Sequence, residues 1–291
     1  MENKSINSRP NQRKHIHYQF IIILGCQRSG TTLTGQILGN HNQTFLIDEN
    51  DGDGMCQWFK TWLKNPVLND EKFLDVQKKA SKKYISEQKT FVNQPLPESY
   101  SIILKAPNLT LLPDILSHLT PKPIIIFPVR DVRSVVSSMI KLNKTIMINR
   151  QTQLLNENHY ICKNYSKELA LLNSLKTPIH VRAALIWLLK NNMYDVFQNY
   201  GLTPYLFQYE DLISHKSSVV KDLINHCNLD YEESILNYHL TMKGKGPGKT
   251  LRDRKIDNMS INKWHNNLST QQVKDIMSVS INHMQKLGYQ S

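Results

Sequence analysis

The eight residues Gly25-Cys26-Gln27-Arg28-Ser29-Gly30-Thr31-Thr32 gather the groups that an anion needs. Gly25 and Gly30 let the backbone wrap closely with its N–H groups turned inward, and Thr31 and Thr32 add hydroxyl donors. The spacing is that of a nucleoside-triphosphate loop, G-x-x-x-x-G-K-[ST], but Thr31 stands where that loop carries lysine. Without the lysine, a γ-phosphate and its magnesium ion lose their usual holder. The positive charge comes earlier, at Arg28, where it can face a bridging oxygen or a leaving group. Gly25, Gln27, Arg28, Ser29, Gly30, Thr31 and Thr32 are therefore read as a cradle for a phosphate-like anion.

Further cations and carboxylates stand at similar places. Arg130 closes the apolar run PIIIFPVR, and Ser138 follows eight residues later. Placed on a strand end and the next helix, the two can face one anion. Lys105 ends another short apolar run, SIILK. The stretch FLIDENDGDG collects Asp48, Glu49, Asp51 and Asp53. Calcium is not expected there, because Gly52 occupies a position where an EF-hand loop needs Asp or Asn. The late segment GKGPGKT, Gly244–Thr250, imitates a nucleotide loop but is one residue short. No strand precedes it, and Lys243, Lys245, Lys249, Arg252, Arg254 and Lys255 surround it, as in a solvated basic loop.

Elements that end at one edge must carry these groups. Phe20–Leu24 reads as a strand and Thr31–Asn40 as the start of a helix. Ser101–Lys105 is a second strand, followed by a helical pattern over Leu111–Leu119. Pro123–Val129 is a continuous apolar run, the mark of a strand buried on both faces. Asp131–Leu142 follows as a helix with Asp131 near its N-cap. Val181–Tyr200, Lys216–His226 and the segment after Ser269 and Thr270 are further helices, and Pro204–Tyr209 a further strand. Alternating strands and helices predict an α/β fold, a parallel sheet flanked by helices. Ligands of such sheets lie beyond the carboxyl ends of the strands. Residues from about 51 to 100 and 143 to 178 interrupt the alternation and are read as helical caps over that edge. Residues 1–15 read as a disordered polar tail, which leaves 16–291 as one domain.

Composition narrows the partners. The 291 residues are 40% hydrophobic, enough for a core, at a mean hydropathy of -0.43. No apolar run approaches the roughly 18–20 residues of a membrane span. The N-terminus has basic residues but no apolar core of a secretory signal. Cys26, Cys56, Cys162 and Cys227 are scattered without C-x-x-C, which fits a reducing cytoplasm better than disulfides or zinc. A net charge of +12 favours an anionic partner. Nucleic-acid modules add stacking aromatics or a reading helix; neither pattern is present, so nucleic acid is not expected. His159 and His180 are isolated and read as structural. Trp58, Trp62 and Trp187 have helical spacing and suit a core or pocket wall.

LGCQRSGTTLTGQIL resembles the 5′-phosphosulfate loop of sulfotransferases that use 3′-phosphoadenosine-5′-phosphosulfate (PAPS), often P-[RK]-S-G-T-T-x-L, of which Arg28-Ser29-Gly30-Thr31-Thr32-x matches, with Gln27 in place of the proline. Arg130 and Ser138 match, in spacing and context, the family's second motif, which holds the 3′-phosphate. The resemblance implies the P-loop-like sulfotransferase fold, PAPS as co-substrate, 3′,5′-ADP as product and no metal. It makes Arg28 and Lys105 candidate catalytic cations near the transferred sulfonate. Tyr209, in Tyr209-Glu210-Asp211-Leu212, and Lys263, in SINKWHNNL, become candidate nucleotide contacts, and the basic segment near Gly244 a cover for the 3′-phosphate.

Transfer to a hydroxyl needs a base. The family's frequent histidine, two residues past the strand lysine, is Pro107 here. Other members use a glutamate after the first helix, which makes Glu49 the expected base and Asp48 its competitor. The spare carboxylates point to a small-molecule acceptor with cationic or amine character, sulfated on a hydroxyl first and an amine second. Two other readings stay open. A small-molecule or nucleotide kinase requires ATP and Mg²⁺. A non-catalytic anion or nucleic-acid binder explains the charge but not the paired motifs.

Overall fold

The computed structural model describes residues 17–48, 99–143, 145–242, 244–246 and 250–289. The tail at 1–15, Glu49, Asp51, Asp53, Trp58, Trp62 and all but the last two residues of the first expected cap lie outside the described residues, as do Lys243 and Pro247–Lys249.

Strand β1 (His17–Ile23) is apolar from Phe20 onward, where both its faces are covered. Phe20, Ile22 and Leu24 point into one hydrophobic cluster, and Ile21 and Ile23 into the other, as the two-residue period of a strand requires. Helix α1 (Thr31–Gly39) returns along the second face, leading to β2 (Thr44–Asp48). Then come β3 (Ser99–Lys105), the short α2 (Pro113–Ser117), β4 (Ile124–Val129) and α3 (Val132–Asn143). The second expected cap is helical: α4 (Ile146–Asn156), α5 (His159–Asn164) and α6 (Ser166–Asn173). The long α7 (Ile179–Gln198) leads to β5 (Tyr205–Gln208), α8 (Tyr209–Ser214) and α9 (Lys216–His226). The chain continues through α10 (Tyr238–Thr241) and α11 (Trp264–Asn267) to α12 (Thr270–Lys286).

The sheet order is β2-β3-β1-β4-β5, and every pairing is parallel. All strands therefore present their carboxyl ends at one edge. There lie the loop after β1, Lys105 at the end of β3, Arg130 just past β4 and Tyr209 just past β5. Helices α3, α7 and α12 cover one face, and α1 and α9 the other.

Some expected boundaries shift. The helix read over Leu111–Leu119 splits into a tight 3-10 turn, Pro107–Leu111, and α2, which Pro113 opens because it needs no N–H partner there. Tyr209 begins α8 instead of ending a strand, since Glu210 and Asp211 suit a helix's positive first turn. The last helix starts as read: Ser269 and Gln272 form a reciprocal capping box. Among the described residues no helix is long and apolar enough to cross a membrane.

Candidate functional site

The loop after β1 is built for close backbone approach. Gly25 has φ 101°, and a Cβ there would stand 3.0 Å from the Pro128 carbonyl oxygen. Its N–H donates to Thr110 Oγ1 at 2.8 Å, which ties the loop to the segment after β3. Arg28 has φ 72°, a left-handed conformation that costs a non-glycine residue roughly 1–3 kcal/mol. Gly30, at φ 95°, is the N-cap of α1 and offers no side-chain oxygen. The first N–H groups of α1 thus keep their donors and the positive dipole end for an anion.

These residues open onto a cavity of about 470 Å³. It is lined by Arg28, Gly30, Thr31 and Thr32 from the loop, by Arg130 and Ser138 from the second motif, and by Tyr209 and Lys263. The two motifs touch: Arg28 Nε donates to Ser138 Oγ at 2.9 Å, and Arg130 Nη1 to the Arg28 carbonyl oxygen at 3.2 Å.

Arg130 is 8% exposed. Its guanidinium lies 4.4 Å over the Tyr209 ring, and Nη2 donates to Ser260 O at 2.6 Å. Trp187, fully buried in α7, donates its indole N–H to the Arg130 carbonyl oxygen at 2.9 Å. Arg130 Nε has no partner, and among the described residues no carboxylate forms an ion pair with Arg130. Asp131, its chain neighbour, is occupied by Arg133 at 2.6 Å. A buried guanidinium with a spare donor and no carboxylate in ion-pair contact is a strong anion ligand. The adjacent Glu210 is instead a support: it accepts from the Asp131 N–H and the Tyr289 hydroxyl, and burial raises its carboxyl above the usual range.

Lys105 lies outside the cavity lining. It is buried and pairs with Asp48 at 2.7 Å, the partner that the β2–β3 register places opposite it. Arg252 approaches the other Asp48 oxygen at 3.4 Å. Gly25, Gln27 and Ser29 also lie behind the lining. Ser29 Oγ is buried without a partner, while Gln27 belongs to a polar network below the loop. There the fully buried Lys190 donates to Gln27 Oε1 at 2.9 Å and Pro107 O at 3.0 Å, and Gln27 Nε2 to Asn108 Oδ1 at 2.7 Å. Gln151 of α4 joins at 3.2 Å, which brings the second cap to the loop. Burial pushes the Cys26 thiol up to about 12, so the loop's cysteine is no nucleophile at neutral pH.

His180 Nε2 lies 2.9 Å from Asp275 Oδ2 and outside the cavity lining. The basic segment is not simply solvated, because Arg252 is buried and Thr250 lies 3.5 Å from Arg28 Nη1. Lys190 went unread, although a lysine in the apolar run of α7 was a signal for it. SINKWHNNL was read for Lys263, and nothing local marked the carbonyl of its first residue, Ser260, as a partner of Arg130.

Comparison with known proteins bears on the same elements. The family model described as "Sulfotransferase family" matches residues 20–233. No curated protein matches the chain. Among solved structures, it is similar to the sulfotransferase domain from the curacin biosynthetic pathway, with a TM-score of 0.54 and 18% identity over 95% of this chain and 99% of that one. It is also similar to the sulfotransferase domain from the Synechococcus PCC 7002 olefin synthase, with a TM-score of 0.50 and 16% identity over 94% of this chain and 98% of that one. The sheet and its flanking helices are those of the P-loop-like sulfotransferase fold.

Proposed function

The chain belongs to the sulfotransferase family, and on that premise we propose that it transfers a sulfuryl group from PAPS to a hydroxyl of a small-molecule acceptor. The observation that carries the donor assignment is Arg130, a buried cation with an unpartnered Nε, facing a cavity that also holds Ser138. In this reading Arg130 and Ser138 hold the 3′-phosphate and so select PAPS over ATP. Thr31, Thr32 and the N–H groups at the start of α1 hold the 5′-phosphosulfate. Tyr209 sets the Arg130 guanidinium, and Lys263 borders the nucleotide.

In the transfer, the acceptor oxygen attacks sulfur as the bond to the 5′-phosphate oxygen breaks, and 3′,5′-ADP leaves. Arg28, Lys105 and the loop N–H groups stabilise the charge that develops on the sulfonate and the departing phosphate. The acceptor's proton goes to Glu49. Asp48 is the weaker choice, because its oxygens are already engaged by Lys105 and Arg252. Acidic side chains beside Glu49 favour an acceptor of cationic character, with amine transfer the second option.

A thermal-shift titration without magnesium tests the donor assignment, since a ligand of the folded state raises the melting temperature. A shift with 3′,5′-ADP and none with ADP or ATP is expected. A shift only with ATP and added Mg²⁺ would overturn the reading in favour of a kinase.

A further inference from the structure

Gln36 has no role in the reading above, yet it stands on α1 four residues after Thr32 and lines the same cavity. It is 2% exposed, and its Nε2 has no hydrogen-bond partner. A buried amide that makes no hydrogen bond loses its hydration without replacement. An apolar residue would cost less at this position, unless a ligand supplies the missing partner. Helical geometry puts Gln36 on the same face of α1 as Thr32, about 6 Å further along the axis. Thr32 is assigned above to the 5′-phosphosulfate, and the sugar of a nucleotide can span that distance.

A nucleotide also needs apolar walls for the faces of its base. Leu33 of α1, Tyr238 of α10 and Ile256 line the cavity and belong to the hydrophobic cluster on the α1 face of the sheet. The Tyr238 hydroxyl is spent on the Arg254 carbonyl oxygen at 2.6 Å, which leaves its ring to the wall. Asp257, the acidic residue of the described lining, is held by Arg254 at 2.6 and 2.7 Å. Gln36 is thus a polar group left uncommitted beside apolar walls. Being neutral, a carboxamide adds little to the holding of phosphate, but its paired donor and acceptor suit a base edge. Adenine presents its 6-amino donor beside the N7 acceptor, the complement of glutamine. A 6-oxopurine presents two acceptors there and leaves the glutamine oxygen unmatched.

We infer that Gln36 reads the base: Nε2 donates to adenine N7, and Oε1 accepts from the 6-amino group. The inference rests on the PAPS reading above and deepens it. Contacts to phosphate by themselves would hold any nucleoside 3′,5′-bisphosphate, so base selectivity needs a further residue.

The test is calorimetric titration of the full chain with 3′,5′-ADP and with inosine 3′,5′-bisphosphate, which carry the same phosphates. Wild type should prefer 3′,5′-ADP by about tenfold, the scale of one bidentate pair. Gln36→Met should weaken 3′,5′-ADP by about tenfold and leave the inosine ligand within about twofold, which abolishes the preference. Its melting temperature should not fall, because an apolar side chain of similar shape replaces an unsatisfied amide. Gln36→Leu serves the same comparison if Gln36→Met does not fold. No preference in wild type, a preference kept in the variant, or equal loss of both ligands would overturn the inference and leave the PAPS reading standing. Wild type that binds neither ligand would instead overturn the PAPS reading, and the role of Gln36 with it.

Discussion

Arg28 Nε donates to Ser138 Oγ at 2.9 Å across a sequence separation of 110 residues. That single bond joins the glycine loop after β1 to the helix after β4. It makes one cavity of two motifs that are independent in the sequence. With Arg130 Nη1 on the Arg28 carbonyl, the backbone of the first motif is also held by the side chain of the second.

Arg130→Ala should weaken 3′,5′-ADP by about 10- to 100-fold, the range of one or two charge-assisted hydrogen bonds. Binding of a nucleotide without a 3′-phosphate should change little. Calorimetric titration of both ligands measures the difference, and equal losses would remove Arg130 from the 3′-phosphate.

Arg28→Ala should act on transfer more than on binding. With any acceptor that turns over, kcat should fall by at least about 100-fold, the scale of losing one preorganised charge at a reacting group. The 3′,5′-ADP affinity should fall less. Mild and equal effects on both quantities would count against the role given to Arg28.

Gly30→Ala places a Cβ 2.4 Å from Tyr209 Cδ2 at a φ of 95°. Strain and overpacking together should cost about 2–4 kcal/mol. Tyr209 is the ring beneath Arg130, so 3′,5′-ADP binding should weaken along with stability. Urea unfolding and titration of the same variant check both, and unchanged stability would mean that the ring moves without cost.

His283 packs edge-on against Trp187 at 5.5 Å, and burial lowers its pKa to about 4. The folded state thus favours neutral imidazole, while the unfolded chain takes up a proton near pH 6.5. Between those values the unfolded state binds more protons, so stability present above pH 6.5 is lost as pH falls towards 4, by about 3 kcal/mol in all. His283 Nε2 has no hydrogen-bond partner, so His283→Phe forfeits no bond there. Unfolding curves between those pH values should be flatter for the variant. Parallel curves would assign the acid sensitivity to other groups.

Short-range rules explain which elements are legible along the chain. The continuous apolar run of β1, the positive-φ glycines after it and the helix pattern that follows require a strand, an anion loop and a helix in that order. Arg130 and Ser138 lie within one strand-to-helix step, so their spacing alone puts them on one side. Ser269 and Gln272 announce their capping box in the same local way.

Where distant groups meet depends on long-range packing. No local pattern encodes the order β2-β3-β1-β4-β5, yet that order sets Asp48 against Lys105 and turns a strand-end lysine into a buried ion-pair partner. Neither does the basic segment show from its composition that Arg252 is buried. Local hydrogen bonding and side-chain periodicity act over a few residues and survive in the sequence. Strand order and the burial of charges depend on how the whole chain packs, and were therefore legible only in the fold.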